Sequence, residues 1–168
     1  STDGGLTYPN LIVASTEASA LSYSWTIPDT LSTNCRVRIT DTGDAAVFDT
    51  SNASFKIRGA FTLTSPNGGE IWEVGTVQNI TWTMVGSIEN AKLDYSTDGG
   101  SSYVSPIIAT TTASVQSYPW SIPNEITTQL RVRISDVSDS SVYDASNAHF
   151  KIKGRLLLTT PNGGEVWS

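Results

Sequence analysis

The sequence repeats itself at an offset of 95 residues, and nothing else in it constrains the fold as strongly. Ser1-Thr2-Asp3-Gly4-Gly5 returns as Ser96-Thr97-Asp98-Gly99-Gly100, and Trp25-Thr26-Ile27-Pro28 returns as Trp120-Ser121-Ile122-Pro123. Arg36-Val37-Arg38-Ile39 and Phe55-Lys56-Ile57 recur as Arg131-Val132-Arg133-Ile134 and Phe150-Lys151-Ile152. Residues 1–73 aligned with 96–168 give 40 identities in 73 positions without a gap. Convergent patterning does not reach that level, so one module has been duplicated.

The repeat also fixes the phase. Leu63-Thr64-Ser65-Pro66-Asn67-Gly68-Gly69-Glu70 returns as Leu158-Thr159-Thr160-Pro161-Asn162-Gly163-Gly164-Glu165, each time just after a Phe-Lys-Ile strand and its glycine. A natural module therefore runs from 60 to 154, with 1–59 the C-terminal part of a preceding repeat and 155–168 the first strand of a following one. The leading piece lacks counterparts of 61–95, and 156–168 would supply only part of them. Strand donation between separate copies would leave sheet edges and core open, so the expectation is that the chain belongs to a longer polypeptide.

Within the module, period-2 alternation dominates and no stretch shows a helical period. Strands are expected at Phe61–Ser65, Asn79–Met84, Ala91–Ser96, Tyr103–Ala109, Val115–Ser121, Leu130–Ser135 and His149–Lys153. In Leu130-Arg131-Val132-Arg133-Ile134 the aliphatics share one face and the arginines the other; in Ile80-Thr81-Trp82-Thr83-Met84 the indole takes the core side. About seven short strands in 95 residues predict an all-β chain of tandem immunoglobulin or fibronectin III-like Greek-key sandwiches. Only about three residues separate the last strand of one module from the first of the next, too few for a flexible linker, so neighbours are expected to hold a fixed rotation.

Composition then removes function classes. Ten basic against 16 acidic residues give a net charge of −6, which sets nucleic acid aside. The longest apolar run is a few residues, far short of the roughly 20 of a membrane helix, so no membrane span is expected in this segment. Ser and Thr supply roughly a quarter of the chain, well above the usual share, so hydroxyls more than charges keep the surface soluble. Cys35 is the only cysteine, excluding an internal disulfide and a thiolate metal cluster; its counterpart is Leu130, which marks it as a small buried hydrophobe. His149 is the only histidine and its counterpart is Ser54, so a catalytic site built on it would be missing from the neighbouring repeat. No catalytic residue, cofactor site or cofactor is expected, and the chain is not read as an enzyme.

The motifs point to turns. Ser96-x-Asp98-x-Gly100-x-Ser102-Tyr103 resembles the Asp-box on hairpins of sialidases and other secreted β-proteins, where it is a fold element. Asp98 would accept loop amides while Gly99 and Gly100 supply positive φ. Asn67, Gly68 and Gly69 form the second turn motif. Asp136, Asp139 and Asp144, matched at Asp41, Asp44 and Asp49, are calcium candidates, with solvated turn residues as the duller account. Trp72 and Trp82 are glycan-stacking candidates, set against the usual place of tryptophan in a sandwich core. Asn52-Ala53-Ser54 and Asn79-Ile80-Thr81 match the N-glycosylation sequon, although the first is lost in the paired module.

Pro66-Asn67-Gly68-Gly69-Glu70-x-Trp72, followed by Gly75 and Ile80-Thr81-Trp82, resembles the module of fungal Ser/Thr-rich, GPI-anchored cell-wall glucan-assembly proteins and of bacterial surface-protein relatives. The resemblance spans 60–154 and implies an extracellular, envelope-associated β-sandwich without established catalytic residues. Two functions follow as expectations. The first is a structural repeat of a long extracellular or cell-surface protein, forming a stiff stalk, fibre or filament with neighbouring repeats and other copies as partners. The second is an adhesin-type module that binds a cell-wall glycan, and an enzyme's accessory domain is a third reading.

Overall fold

Alternating aliphatic and hydroxyl-bearing residues drive the chain into strands, and the computed structural model describes residues 1–167. The strands are β1 (Ser32–Cys35), β2 (Arg38–Thr40), β3 (Phe48–Thr50), β4 (Phe55–Ile57), β5 (Ala60–Ser65), β6 (Ile71–Glu73) and β7 (Val77–Val85). They continue with β8 (Asn90–Ser96), β9 (Ser105–Thr112), β10 (Ser117–Ser121), β11 (Thr127–Asp136), β12 (Tyr143–Ala145) and β13 (Phe150–Lys153). Single 3₁₀ turns occupy Ala18–Ala20 and Ala113–Val115. The chain is all-β: among the described residues there is no α-helix, and no helix long and apolar enough to cross a membrane.

Residues 60–153 form two sheets. In one, β7 is central, with β5 and β10 antiparallel on either side. The other runs β6-β13-β11-β8-β9, with β12 also on β11; only the β6–β13 pair is parallel. β5, β13 and the Leu130–Ile134 stretch of β11 bury alternate side chains. Leu63, Ile80 and Trp82 from the small sheet and Leu93, Val132 and Phe150 from the large one belong to one buried cluster. Burying a side chain of this kind stabilises the fold by about 1.5–3 kcal/mol. Asp144 on β12 joins the two sheets, its Oδ2 accepting the Leu63 amide of β5 at 2.7 Å.

Several boundaries differ from the expected ones. β9 begins at Ser105 rather than Tyr103, because Ser102 is still held by Asp98 in the preceding turn. β10 begins at Ser117 rather than Val115: Ala113 is buried in the core and the chain turns there before Gln116 takes a left-handed φ of 57°. β6 and β12 were not expected at all. Each is three residues long, too short for alternation to stand out.

The same sequence behaves differently outside 60–153. β11 is a continuous ten-residue strand, whereas its counterpart in 1–59 is split into β1 and β2, which pair only with β4 and β3. β8, which pairs with Arg131–Asp136 of β11, has no counterpart within 1–59 apart from Ser1. Exposure follows the pairing. Ile39 and Ile27 are 65% and 57% exposed against 0% and 3% for Ile134 and Ile122. At the other end Leu158 and Trp167 are 66% and 72% exposed, while Leu63 and Trp72 stand at 1% and 8%.

Candidate functional site

Among the described residues no three His, Cys, Asp or Glu side chains converge as a metal site would need. The calcium reading of Asp136, Asp139 and Asp144 is corrected accordingly, because each carboxylate is committed to a different amide. Asp136 Oδ1 accepts Ser138 N at 2.7 Å, Asp139 Oδ1 accepts Ser141 N and Oγ, and Asp144 accepts Leu63 N. These are turn and strand caps. His149 lies exposed beside Gly99, and its main-chain oxygen accepts Gly69 N. Cys35 is buried and free.

Each of the two turn motifs forms the same hydrogen-bonded turn in both of its copies. Asp98 Oδ1 accepts Ser96 Oγ at 2.6 Å and Ser102 N at 2.9 Å, and its Oδ2 accepts Ser102 Oγ at 2.6 Å. Asp3 repeats this with Ser1 and Thr7. Gly99 and Gly100 carry φ of 78° and 95°. The Ser102 hydroxyl first, then the Ser96 hydroxyl and the Ser102 amide, hold the Asp98 carboxyl far below the ordinary range. In the second motif Glu70 folds back to accept the Asn67 and Gly68 amides at 2.7 and 2.8 Å, as Glu165 does for Asn162 and Gly163. The Asn67-Gly68-Gly69 turn is then fastened across the module: Asn147 N donates to Asn67 Oδ1, and Ser146 Oγ donates to Pro66 O at 2.7 Å.

The tryptophans settle which surfaces are open. Trp72 and Trp82 are 8% and 2% exposed, and Trp82 Nε1 donates to Ala113 O at 2.9 Å. Neither presents a face on which a sugar ring would stack, so the glycan-stacking assignment to these two residues is corrected. Trp72 instead closes over Trp120 and Phe150, with ring centres 6.0 and 5.0 Å apart. Trp25, the counterpart of Trp120, keeps only an edge contact to Phe55 and lines an open cleft of about 410 Å³ with Leu11, Ile12, Tyr23 and Pro28. Trp120 itself is met by Trp72 and Tyr95, with ring centres 6.0 and 5.2 Å away.

The outer face of the large sheet carries a second repeated element. The Arg133 guanidinium lies 4.4 Å from the Tyr103 ring centre and 6.0 Å from that of Tyr143, and Arg38 sits likewise between Tyr8 and Phe48. Asp94 is almost wholly buried and pairs with Lys92 at 3.1 Å and Arg133 at 3.4 Å.

The sequence reading left one contact region unnamed, the joint between residues 1–59 and the module that follows. Asp29 accepts Ser87 N at 2.8 Å and Ser87 Oγ at 2.6 Å, in the turn between β7 and β8. Those two donors, the hydroxyl foremost, lower the Asp29 carboxyl. Leu31 packs against the core cluster. A Cβ on Gly59 would fall 2.5 Å from Val85 O and 2.7 Å from Ile88 Cγ1, so the two segments meet at a glycine. Across from it Lys56 pairs with Asp139 at 3.3 Å. Gly59 and Gly154 at matching places in a short connection were the available signal.

No family model matches the chain, and no curated protein or solved structure does.

Proposed function

We propose that the chain is a run of structural repeats from a long extracellular or cell-surface protein, forming a stiff stalk, fibre or filament. One observation carries this reading: Ile122, Ile134, Leu63 and Trp72 are buried in 60–154, while Ile27, Ile39, Leu158 and Trp167 at the matching places are exposed. Exposed apolar surface of this extent marks a surface made to be covered. The residues that cover it in the complete module are the repeat's own. More of the same sequence is therefore the partner whose chemistry fits.

The strand order supports the finer architecture. A β5-β7-β10 sheet facing β6-β13-β11-β8-β9, with the short parallel β6–β13 pair at the edge, is the arrangement expected of an immunoglobulin or fibronectin III-like Greek-key sandwich. The domain limits 1–59, 60–154 and 155–168 follow from placing that unit on the repeat. The share of Ser and Thr, roughly a quarter of the chain and well above the usual one, fits an exported role. The likeness to fungal glucan-assembly and bacterial surface repeats points the same way.

Electron microscopy of protein carrying several repeats tests the reading. Straight, unbranched rods with an axial period on the order of 3–4 nm are expected, set by nine-residue strands such as β7 and a turn at each end. Isolated globules at all concentrations would overturn it.

A further inference from the structure

We infer that the rim formed by Asn124, Ile126 and Gly154 is a docking surface for the β7–β8 turn, Gly86-Ser87-Ile88, of a following copy of the module. This rests on the repeat reading above and names the surface through which one repeat would hold the next.

The joint seen between 1–59 and 60–154 supplies the template. There Asp29 binds the Ser87 amide and hydroxyl, Leu31 Cδ2 lies 3.2 Å from the Cβ position of Gly86, and Gly59 admits Val85 O and Ile88. At the 95-residue offset Asn124, Ile126 and Gly154 stand in for these three residues. Their chemistry is preserved in kind. The Asn124 side-chain oxygen accepts an amide as a carboxylate oxygen does, and Ile126 replaces Leu31 as an aliphatic cover.

Two observations on the rim itself point to that occupant. Ile126 is 64% exposed, whereas Leu31 is half-buried against the core. Gly154 is held to glycine by no backbone: it does not adopt a positive φ, and a Cβ there would meet only the end of the exposed Ile126 side chain, Cδ1 at 3.1 Å, which is free to swing aside. Gly59 likewise has no positive φ, and close approach of Val85 O and Ile88 is what excludes a side chain there. A glycine required by contact in one copy and idle in the other is accounted for when the second copy makes the same contact. The occupant's polar atoms match as well, since Ser87 offers an N–H and a hydroxyl to the Asn124 oxygen. Lys151, the counterpart of Lys56, is placed to pair with the occupant's Asp139.

The test uses the full chain and the full chain extended after Ser168, the counterpart of Glu73, by a second copy of residues 74–154. Urea midpoints are compared for Gly59→Ala and Gly154→Ala in both. The expected result is that Gly59→Ala lowers the midpoint in both chains, while Gly154→Ala is neutral in the 168-residue chain and lowers the midpoint in the extended one. Ile126→Asp should also lower the midpoint in the extended chain alone. If Gly154→Ala and Ile126→Asp leave the extended chain unchanged while the added copy's core amides are protected from hydrogen exchange, the joint is overturned and the repeat reading stands. If those amides are unprotected, both fall.

Discussion

Replacing Ser146 by alanine isolates the contact that fastens the Pro66-Asn67 turn to the large sheet. The Ser146 hydroxyl accepts the Val132 amide at 3.0 Å and donates to Pro66 O at 2.7 Å, and the residue is 1% exposed. Removing it leaves one buried donor and one buried acceptor without that partner, each costing about 1–3 kcal/mol. With some relaxation of the turn, Ser146→Ala should destabilise residues 60–154 by about 3 kcal/mol. The repeat supplies its own control. Ser51 Oγ accepts Val37 N at 3.2 Å in a half-exposed setting, and no second bond to a proline carbonyl accompanies it, so Ser51→Ala should cost less than about 1 kcal/mol. Urea unfolding followed by tryptophan fluorescence reads Ser146→Ala through Trp72, Trp82 and Trp120, buried in the same unit, and Ser51→Ala through Trp25, which packs edge-on to Phe55. A Ser146→Ala midpoint within about 0.5 kcal/mol of the parent, or equal losses for both variants, would refute the reasoning.

Two other perturbations bear on the turns. Gly68 holds φ 130°, and a Cβ there would lie 2.5 Å from Ala148 Cβ, so Gly68→Ala should cost about 2–4 kcal/mol in the same unfolding assay; a neutral variant would contradict the turn's packing. The Asp98 carboxyl titrates well below its ordinary range because the Ser102 and Ser96 hydroxyls bond its charged form. The folded value lies below the unfolded one, so its stabilisation is complete above about pH 4 and is lost as pH falls through the folded value. The urea midpoint should therefore fall less steeply between pH 5 and pH 2 in Asp98→Asn than in the parent, and parallel pH profiles would refute it.

Much of the fold was legible because alternation is loud where one face is buried. Leu130-Arg131-Val132-Arg133-Ile134 and Ile80-Thr81-Trp82 announce both strand and inward face, and the structure buries the expected members. Short elements were silent. Ile71–Glu73 holds its place by pairing in parallel with β13, a long-range contact that three residues cannot signal. The 3₁₀ turn at Ala113–Val115 ends on a left-handed Gln116, a position where sequence usually shows glycine or asparagine. Leu21 takes the same left-handed backbone in the first copy, at φ 54°, although the partners that Trp82 and Glu89 supply to the second turn have no counterparts there, so the shared local sequence sets the turn without a glycine to announce it. The aspartate triad and the tryptophan pair misled for one reason. A residue type suited to binding is also suited to a turn or a core, and only partners and burial decide. The Asp29–Ser87 joint could not be read at all, because it brings together residues 58 apart whose types are common on any surface.

The central claim is that repeats of this sequence stack in one fixed orientation. Small-angle X-ray scattering from chains of increasing repeat number tests it directly. A fixed joint makes the radius of gyration grow in proportion to the number of 95-residue repeats at constant cross-section. Growth with an exponent near 0.5, as for units on flexible links, would contradict it.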